Sequence, residues 1–345
     1  MAISPGQQAL ASDFVATSAG APSAGQVPKL NSSGKLDSSF LSNVKFGGDG
    51  SDGALSISSG VTTIDCANAA VVIKNYASIS ITGTGKLSFI NPNNNGTIVI
   101  IKSKGDVALT SSQAPMIDLS GMGALGGTSV TVGSSGNSNG NAGTTGVCFG
   151  IIPVTNAGPG GSNTGGGGSA AAPVAYASAI NSILIAKYPK AFVGAGGGSG
   201  GASAGSGASA TSGYGGRGGG SLIIECAGAL NFTTSSGISV AGLSGVDGTY
   251  GGGHVVGGGG GGAGGYCLIL YNTLTSASGT VNVSGGSGGS NNSNYSGSSG
   301  TYGGGGGGGG NYQGGGGGGA GNSLQTAGGG GAAGLSLITK NTEFA

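Results

Sequence analysis

The sequence predicts a mostly β protein: stacked, β-helix-like strand repeats with glycine-rich insertions of the polyglycine-II type and one short inserted helix. Three observations predict this fold. Segments rich in β-branched and aromatic residues are bounded by turn formers. One strand pattern recurs along the chain, as expected of a repeat protein. Glycine supplies 87 of the 345 residues and is concentrated between Gly194 and Gly334.

The composition excludes several classes of protein. Charged residues make up 6% of the chain and the net charge is +1, so no basic surface is predicted for nucleic acid or an anionic membrane. The 36% hydrophobic content is too high for a typical disordered chain. No segment approaches the roughly 20 apolar residues of a spanning helix, so membrane insertion is not expected.

Residues 1–46 form a distinct N-terminal section. Its start, MAISPGQQALAS, lacks the basic and apolar regions of a secretory signal. The section contains the phrase GQVPKLNSSGKLDSSFL, from Gly25 to Leu41. Apolar side chains that could dock this section onto a carrier are Val27, Pro28, Leu30, Leu36, Phe40 and Leu41.

The Gly25–Leu41 phrase resembles a segment of bacteriophage tail-fibre and virion-attached proteins, where it lies between the attachment end and the shaft. The resemblance implies that residues 1–46 are an anchor that binds a virion or fibre carrier protein. It also agrees with the missing secretory signal, because virions assemble in the cytoplasm. A polar leader that docks elsewhere is the alternative.

Residues 47–130 are predicted to form a β-stacked domain after a turn-rich hinge, FGGDGSDG. Apolar and polar residues alternate clearly in SISITG and KLSFI. The predicted strands lie in Val61–Cys66, Val71–Tyr76, Ser78–Gly83 and Lys86–Ile90.

A longer unit then repeats, with an apolar strand, a turn, a short strand containing Leu, and an alternating strand that closes in Ser-Gly. The units span Gly96–Gly123, Gly220–Gly245 and Gly265–Gly288, and Leu335–Asn341 reads as one more first strand. The pattern aligns Ile117 with Ile238 and Val281. Because the glycine-rich segments follow each closing Ser-Gly, they should project from one side or end of a stack.

Residues 131–193 are predicted to be an insertion with a helix near 173–188. Pro173 suits a first helical turn, Tyr176, Ile180 and Leu184 recur at helical spacing, and Pro189 would end the helix. The apolar face of this helix is expected to cover an open end or flank of the stack. A partner-binding helix is the alternative.

Residues 194–345 are predicted to form a distal, glycine-rich repeat domain. Without side chains, extended helices with three residues per turn can pack closely enough for lateral backbone hydrogen bonds. A flexible linker is the alternative. The four cysteines are widely spaced and form no CxxC pair, which predicts buried small apolar groups.

No constellation predicts catalysis, a metal site or a cofactor, so the chain is not expected to be an enzyme. The carboxylates are few, and Asp65, Asp106 and Asp118 are interpreted as turn residues that accept backbone N–H groups. His254 is the only histidine and has no companion ligands in sequence. GxGxxG matches arise everywhere by composition and carry no information.

The glycine-rich segments carry aromatic and amide side chains suited to recognition. The candidate receptor contacts are Tyr214, Arg217, Tyr250, His254, Asn292, Tyr295, Tyr302, Tyr312 and Gln313. The alternative is that the tyrosines cap glycine layers or pack between protomers.

Glycine-rich tracts with variable polar and aromatic tips resemble the distal adhesins of T-even-type phages, over roughly Gly194 to Gly334. The resemblance implies a fibre or adhesin subunit on the virion or another extracellular surface, a homotrimer, and a host receptor of protein or glycan. This chain departs from those adhesins because an N-terminal section and a β-stacked section come first. A purely structural filament or surface-layer protein and an ice-binding protein are the alternatives.

Overall fold

The computed structural model describes residues 46–133, 137–146, 191–203, 209–233, 237–249, 256–290 and 327–341, with short pieces at 14–15, 27–28, 153–155, 158, 160–161, 173–175, 306 and 308–309. Within these residues the chain is mostly β, its sheets are largely parallel, and no helix is present.

Twenty-one strands are found in the described part of the chain. The first ten are β1 (Phe14–Val15), β2 (Val27–Pro28), β3 (Ala54–Ile57), β4 (Val61–Asp65), β5 (Val71–Tyr76), β6 (Ser78–Ile81), β7 (Lys86–Ile90), β8 (Ile98–Ser103), β9 (Val107–Leu109) and β10 (Ile117–Asp118). The others are β11 (Thr131–Val132), β12 (Asn137–Ser138), β13 (Pro153–Thr155), β14 (Pro173–Ala175), β15 (Ala202–Ser203), β16 (Ala210–Thr211), β17 (Ser221–Phe232), β18 (Ile238–Ser239), β19 (Tyr266–Ala277), β20 (Val281–Asn282) and β21 (Leu335–Lys340).

Two parallel sheets form the centre of the fold, which we call the β-stack. One sheet has the order β20-β18-β10-β7-β4. The other runs from β21 through β19 and β17 to β8 and β9, and then to β5, β6 and β3. Ile117 pairs with Ile238, which pairs in turn with Val281, and these are the partners that the repeat pattern aligned.

In two of the repeats the sequence predicts a strand, a turn and a second strand. The structure has one long strand in each of them instead, β17 and β19. The first half of β17 pairs with β8 and its second half with β9. The predicted turn is a register shift in the β17–β19 ladder between Cys226 and Ala229. A β-bulge of this kind bends a strand without ending it.

Alternate residues of β17 enter two different cores. Leu222 and Ile224 are buried in the main core between the sheets, together with Ile117 and Ile238. Ile223 faces a second core on the outer side of the sheet. Because both faces of these strands are covered, the sequence reads as an unbroken apolar run.

The second core is covered by Ala191–Val193, which the sequence placed at the end of the helical insertion. Phe192 is 1% exposed, and its ring lies 5.6 Å from that of Tyr266. The predicted insertion thus does cover a flank of the β-stack. Within the described residues, the covering segment is Ala191–Val193 and not a helix.

The helix predicted near 173–188 does not begin at Pro173. Residues Pro173–Ala175 form β14, which pairs antiparallel with β13, Thr155 lying opposite Pro173. The fixed φ of proline suits an edge strand as well as a first helical turn, so the residue does not discriminate between them. Residues 176–190 lie outside the described part of the chain.

Each of the two sheets of the β-stack contains strands from two of the sections predicted from the sequence, 47–130 and 194–345. Strand β8 belongs to the 47–130 section and pairs with β17 of the 194–345 section. In the N-terminal section, Val27 and Pro28 pair in parallel with Phe14 and Val15. The remaining predicted attachment residues, Leu30, Leu36, Phe40 and Leu41, lie outside the described residues.

The start of the hinge is fixed against the outer face of the sheet. The Gly47 N–H donates to Glu225 Oε2 over 2.9 Å, and Lys102 Nζ lies 3.8 Å from the same oxygen. Lys102 and Glu225 are 1% and 0% exposed. Gly47 and Gly48 have φ of 75° and 71°, a left-handed conformation that favours glycine.

Three of the four cysteines lie in the described residues, and all three are buried free thiols, as the sequence predicts. Burial raises the pKa of Cys66 and of Cys226 to about 11. It raises the pKa of Cys267 to about 12. These thiols therefore pack as small apolar groups.

Candidate binding surface on the glycine segments

The glycine-rich segments pack side by side through backbone hydrogen bonds. Residues 256–265 lie at the centre of this glycine pack. Gly257, Gly260 and Ala263 donate to carbonyl oxygens of residues 195–201 over 2.8–3.0 Å. Gly259, Gly262 and Gly265 donate instead to residues 240–246, and Gly261 and Gly264 to residues 329–332.

Successive N–H groups of the central segment thus point in three directions and return to the same direction at every third residue. This is the period of an extended helix with three residues per turn. Neighbouring segments also donate to it, as Gly286 and Gly289 do to Gly262 and Gly259. The glycines of residues 256–265 are therefore packed backbone and do not behave as a linker.

Side chains are excluded from most of these contacts. A Cβ on Gly259 would meet the carbonyl oxygen of Tyr214, and a Cβ on Gly262 that of Arg217. Gly330, at the surface, is different, since the nearest atom to its Cβ position is 3.7 Å away. Of the longest glycine runs, Gly257–Gly262 is described in full, Gly303–Gly310 only at 306, 308 and 309, and Gly314–Gly319 not at all.

One face of the glycine pack carries side chains. The 211–220 segment lies between the segments 123–130 and 241–249. Its Gly215 and Gly218 donate to the first, and it accepts from Leu243 and Val246 of the second. Residues three apart line this face, because the three-residue period brings every third residue to the same side.

A groove of about 430 Å³ opens on this face. Glycines 126, 127, 215 and 216 contribute only backbone to its lining. Tyr214 and Leu243 are 53% and 46% exposed there. The side chains that line the groove are Leu125, Thr128, Ser129, Tyr214, Arg217, Leu243, Ser244 and Val246.

The Arg217 guanidinium forms two hydrogen bonds with backbone carbonyls. Its Nε donates to the Gly123 carbonyl over 2.8 Å, and its Nη2 donates to the Asn93 carbonyl over 2.7 Å. Desolvation by burial lowers the pKa of the guanidinium from its ordinary value. Arg217 therefore links the glycine pack to the loop after β7, besides lining the groove.

The structure thus places two of the predicted contact residues, Tyr214 and Arg217, at one groove. The other seven, Tyr250, His254, Asn292, Tyr295, Tyr302, Tyr312 and Gln313, lie outside the described residues. Sequence reasoning missed Leu125, Leu243 and Val246 as lining residues. The available signal was an apolar residue at every third position, Leu243 and Val246, within a glycine-rich segment.

Three carboxylates of the β-stack accept backbone N–H groups, as the sequence predicts, two of them within a local turn and Asp106 from a distant strand. Asp65 Oδ1 accepts from the Ala67 N–H over 2.7 Å. Asp106 Oδ1 accepts from the Ala229 N–H over 2.8 Å. Asp118 accepts from the Ser120 N–H and from Lys86 Nζ.

In the described part of the chain, no three His, Cys, Asp or Glu side chains are grouped so that they could hold a metal ion. Nor do the described residues include a helix long and apolar enough to cross a membrane. Comparison with protein families, curated proteins and solved structures returned no match.

Proposed function

We propose that this protein is a structural subunit of a virion-attached fibre or adhesin, which recognises the host-cell surface through its glycine-rich segments. The observation that carries the proposal is the glycine pack, in which segments nearly free of side chains hydrogen-bond around residues 256–265. Such a scaffold is rigid and has few side chains in its interior, so that large side chains lie mostly at its surface and connections. That arrangement suits recognition more than catalysis.

The β-stack supplies the shaft in this proposal. Successive repeats pair in parallel and in register, as β10, β18 and β20 do. We interpret them as turns of a β-helix-like solenoid, from which glycine segments leave after β18 and return before β19. Each insertion thereby starts and ends at a fixed place on the shaft.

The N-terminal section supplies attachment. The phrase from Gly25 to Leu41 resembles virion-attached fibres, so we assign Val27, Pro28, Leu30, Leu36, Phe40 and Leu41 to contact with a carrier protein. The assembly is proposed to be a homotrimer at the virion or another extracellular surface, without enzymatic activity. Removal of residues 1–46 should abolish incorporation into virions.

Recognition is assigned to the connections between glycine segments. Seven predicted contact residues fall in the stretches 250–255, 291–305 and 310–326, each of which links two such segments in sequence. Tyr295 and Tyr312 combine aromatic area with neighbouring amides, which suits a glycan or a protein loop.

Adsorption of virions to their host cells tests this function. Replacing Tyr295 and Tyr312 together by Ala should lower adsorption at least tenfold, about 1.4 kcal/mol, with an unchanged melting temperature. The control is Leu274→Ala, which truncates an exposed side chain of the β-stack and should leave adsorption unchanged. Normal adsorption of the double variant would contradict the assignment, and a lower melting temperature would make the tyrosines packing residues.

A purely structural filament is the second candidate, and one observation favours it. Among the described strands, β21 pairs only with β19, and its Leu337 is 49% exposed. A strand edge of this kind can pair with another copy of the chain. Electron microscopy of purified protein separates the two, because a fibre subunit forms closed particles and a filament protein forms open polymers.

A further inference from the structure

We propose that the groove beside Tyr214 binds a carboxylate-bearing sugar ring. The proposal rests on the recognition function above and adds to it a second contact, on the flank of the glycine pack and separate from its connections. It is argued from the size of the groove, its charge and the chemistry of its lining.

The size of the groove suits one ring and not an extended polymer. Tyr214 and Arg217 are three residues apart on one glycine segment, about 9 Å at 3.1 Å per residue. Leu125 and Thr128 line the groove from one neighbouring segment, and Leu243 and Val246 from the other. Its volume of about 430 Å³ falls within the roughly 300–1,000 Å³ of small-molecule sites.

The charge of the groove favours an anion. Among the described lining residues, Arg217 is the only strongly basic one and none is acidic. Among the described residues, no carboxylate forms an ion pair with its guanidinium, which instead donates to two backbone carbonyls. A half-buried cation balanced only by neutral acceptors is complementary to a carboxylate.

The remaining lining favours a sugar as the carrier of that carboxylate. The exposed Tyr214 ring and the Leu243 side chain offer apolar area to one face of a ring. Exposed hydroxyls of Thr128, Ser129 and Ser244 lie around them and can exchange hydrogen bonds with ring hydroxyls. A pyranose has this combination of apolar face and hydroxyl rim, and a hexuronate adds the carboxylate.

The first test needs no variant. Binding of methyl glucuronide and methyl glucoside to the purified full-length protein is measured by saturation-transfer NMR and calorimetry. The two probes differ only in the carboxylate. We expect the glucuronide to bind at least tenfold more tightly, and its binding to weaken as salt is raised. No binding of the glucuronide, or equal affinity for both probes, would overturn the proposal.

Variants then locate the site. Tyr214→Ala and Leu243→Ala should each weaken glucuronide binding at least fivefold, and Tyr214→Phe should retain most of it. Leu274→Ala is the matched control, because Leu274 is 45% exposed and Leu243 46%. Arg217→Lys keeps the positive charge but loses the planar guanidinium, which can donate two parallel hydrogen bonds to a carboxylate. It should therefore weaken binding while the protein stays folded. Unchanged affinity in Tyr214→Ala would place the sugar elsewhere and overturn the proposal.

The two proposals fail separately. Virion adsorption of the Tyr295 and Tyr312 double variant decides the recognition function, whereas glucuronide affinity of the unaltered protein decides the groove. A small carboxylate without a ring, such as acetate, is included as a third probe. Acetate binding equal to glucuronide binding would reduce the groove to an anion site and contradict the assignment of a sugar.

Discussion

The β-stack and the glycine pack bury their backbones in opposite ways. In the β-stack, side chains such as Leu222 and Ile224 fill the space between two sheets, so burial of apolar area is the main source of stability. In the glycine pack, carbonyl and N–H groups of adjacent segments meet directly. There each hydrogen bond makes a net contribution of about 1 kcal/mol to stability. This contribution is opposed by the high conformational entropy that glycine loses on folding.

The comparison teaches that the glycine pack depends on the β-stack for its alignment. Ser221 and Tyr266 are register partners in β17 and β19. The glycine segments that immediately precede them run in parallel, with Gly219 donating to Ala263 and Gly216 to Gly260. The sheet register thus sets the register of the glycine segments and supplies part of the ordering that glycine itself opposes.

The largest effect is expected where a side chain enters the centre of the glycine pack. In Gly261→Ala, the new Cβ would meet the carbonyl oxygen of Gly286 and lie 2.8 Å from that of Ser287. Backbone on that side cannot move without breaking its hydrogen bonds. We expect a loss of at least about 4 kcal/mol in the free energy of unfolding, measured by denaturant titration.

Gly330→Ala is the matched control for that variant. It adds the same methyl group to the same glycine pack, but the nearest atom is 3.7 Å away. The unfolding free energy should change by less than about 0.5 kcal/mol. Equal losses in both variants would mean that lateral backbone contact does not determine which glycines are required.

Strand positions could be predicted from the sequence because their signal is local. Lys86–Ile90 and Val71–Tyr76 are strands with the predicted bounds, since β-branched and aromatic residues there are flanked by turn formers. The alignment of Ile117 with Ile238 was predictable because repeats place equivalent residues in register.

The groove could not be predicted because it is not local. Its lining comes from three glycine segments, and their adjacency depends on hydrogen bonds between residues far apart in sequence, such as Gly215 and Gly127. Arg217 shows the same limit. The sequence predicted a receptor contact at this residue, whereas two of its donors bind the Asn93 and Gly123 carbonyls.

A second large effect is expected in the β-stack at the buried ion pair of Lys102 and Glu225. Glu225 lies beside Lys102 in register and accepts from the Gly47 N–H. Glu225→Ala leaves a buried ammonium without this carboxylate, which costs about 3 kcal/mol. It also removes the acceptor that holds the hinge, so hydrogen exchange of the Gly47 amide should accelerate.

Glu225→Gln is the control because its amide oxygen can still accept from Gly47. Exchange of that amide should then remain close to the parent rate, although the protein is destabilised by the loss of charge. Fast exchange in Glu225→Gln would show that the charge of Glu225, and not its hydrogen bond, fixes the hinge. A loss below about 1 kcal/mol in Glu225→Ala would contradict the role of the pair in stability.

The smallest effect is the dependence of stability on pH, which is expected for the β-stack and not for the glycine pack. The three ion pairs found among the described residues all lie in the β-stack or its hinge. Burial alone would raise the pKa of Asp118, but hydrogen bonds from Lys86 and Ser120 outweigh it, so the pKa lies below its ordinary value. A carboxyl with a lowered pKa stabilises the fold above its unfolded pKa, and that stability is lost as pH falls through the folded pKa.

Asp118→Asn should therefore cost about 1 kcal/mol near pH 7, and the difference from the parent should shrink as pH falls below about 4. The control is Asp52→Asn, because the Lys74–Asp52 distance is 3.9 Å and both side chains are about one-third exposed. It should change stability by less than about 0.5 kcal/mol. Unfolding free energies measured from pH 3 to pH 7 decide the matter. A constant difference between Asp118→Asn and the parent across that range would show that Asp118 acts through packing and not through its charge.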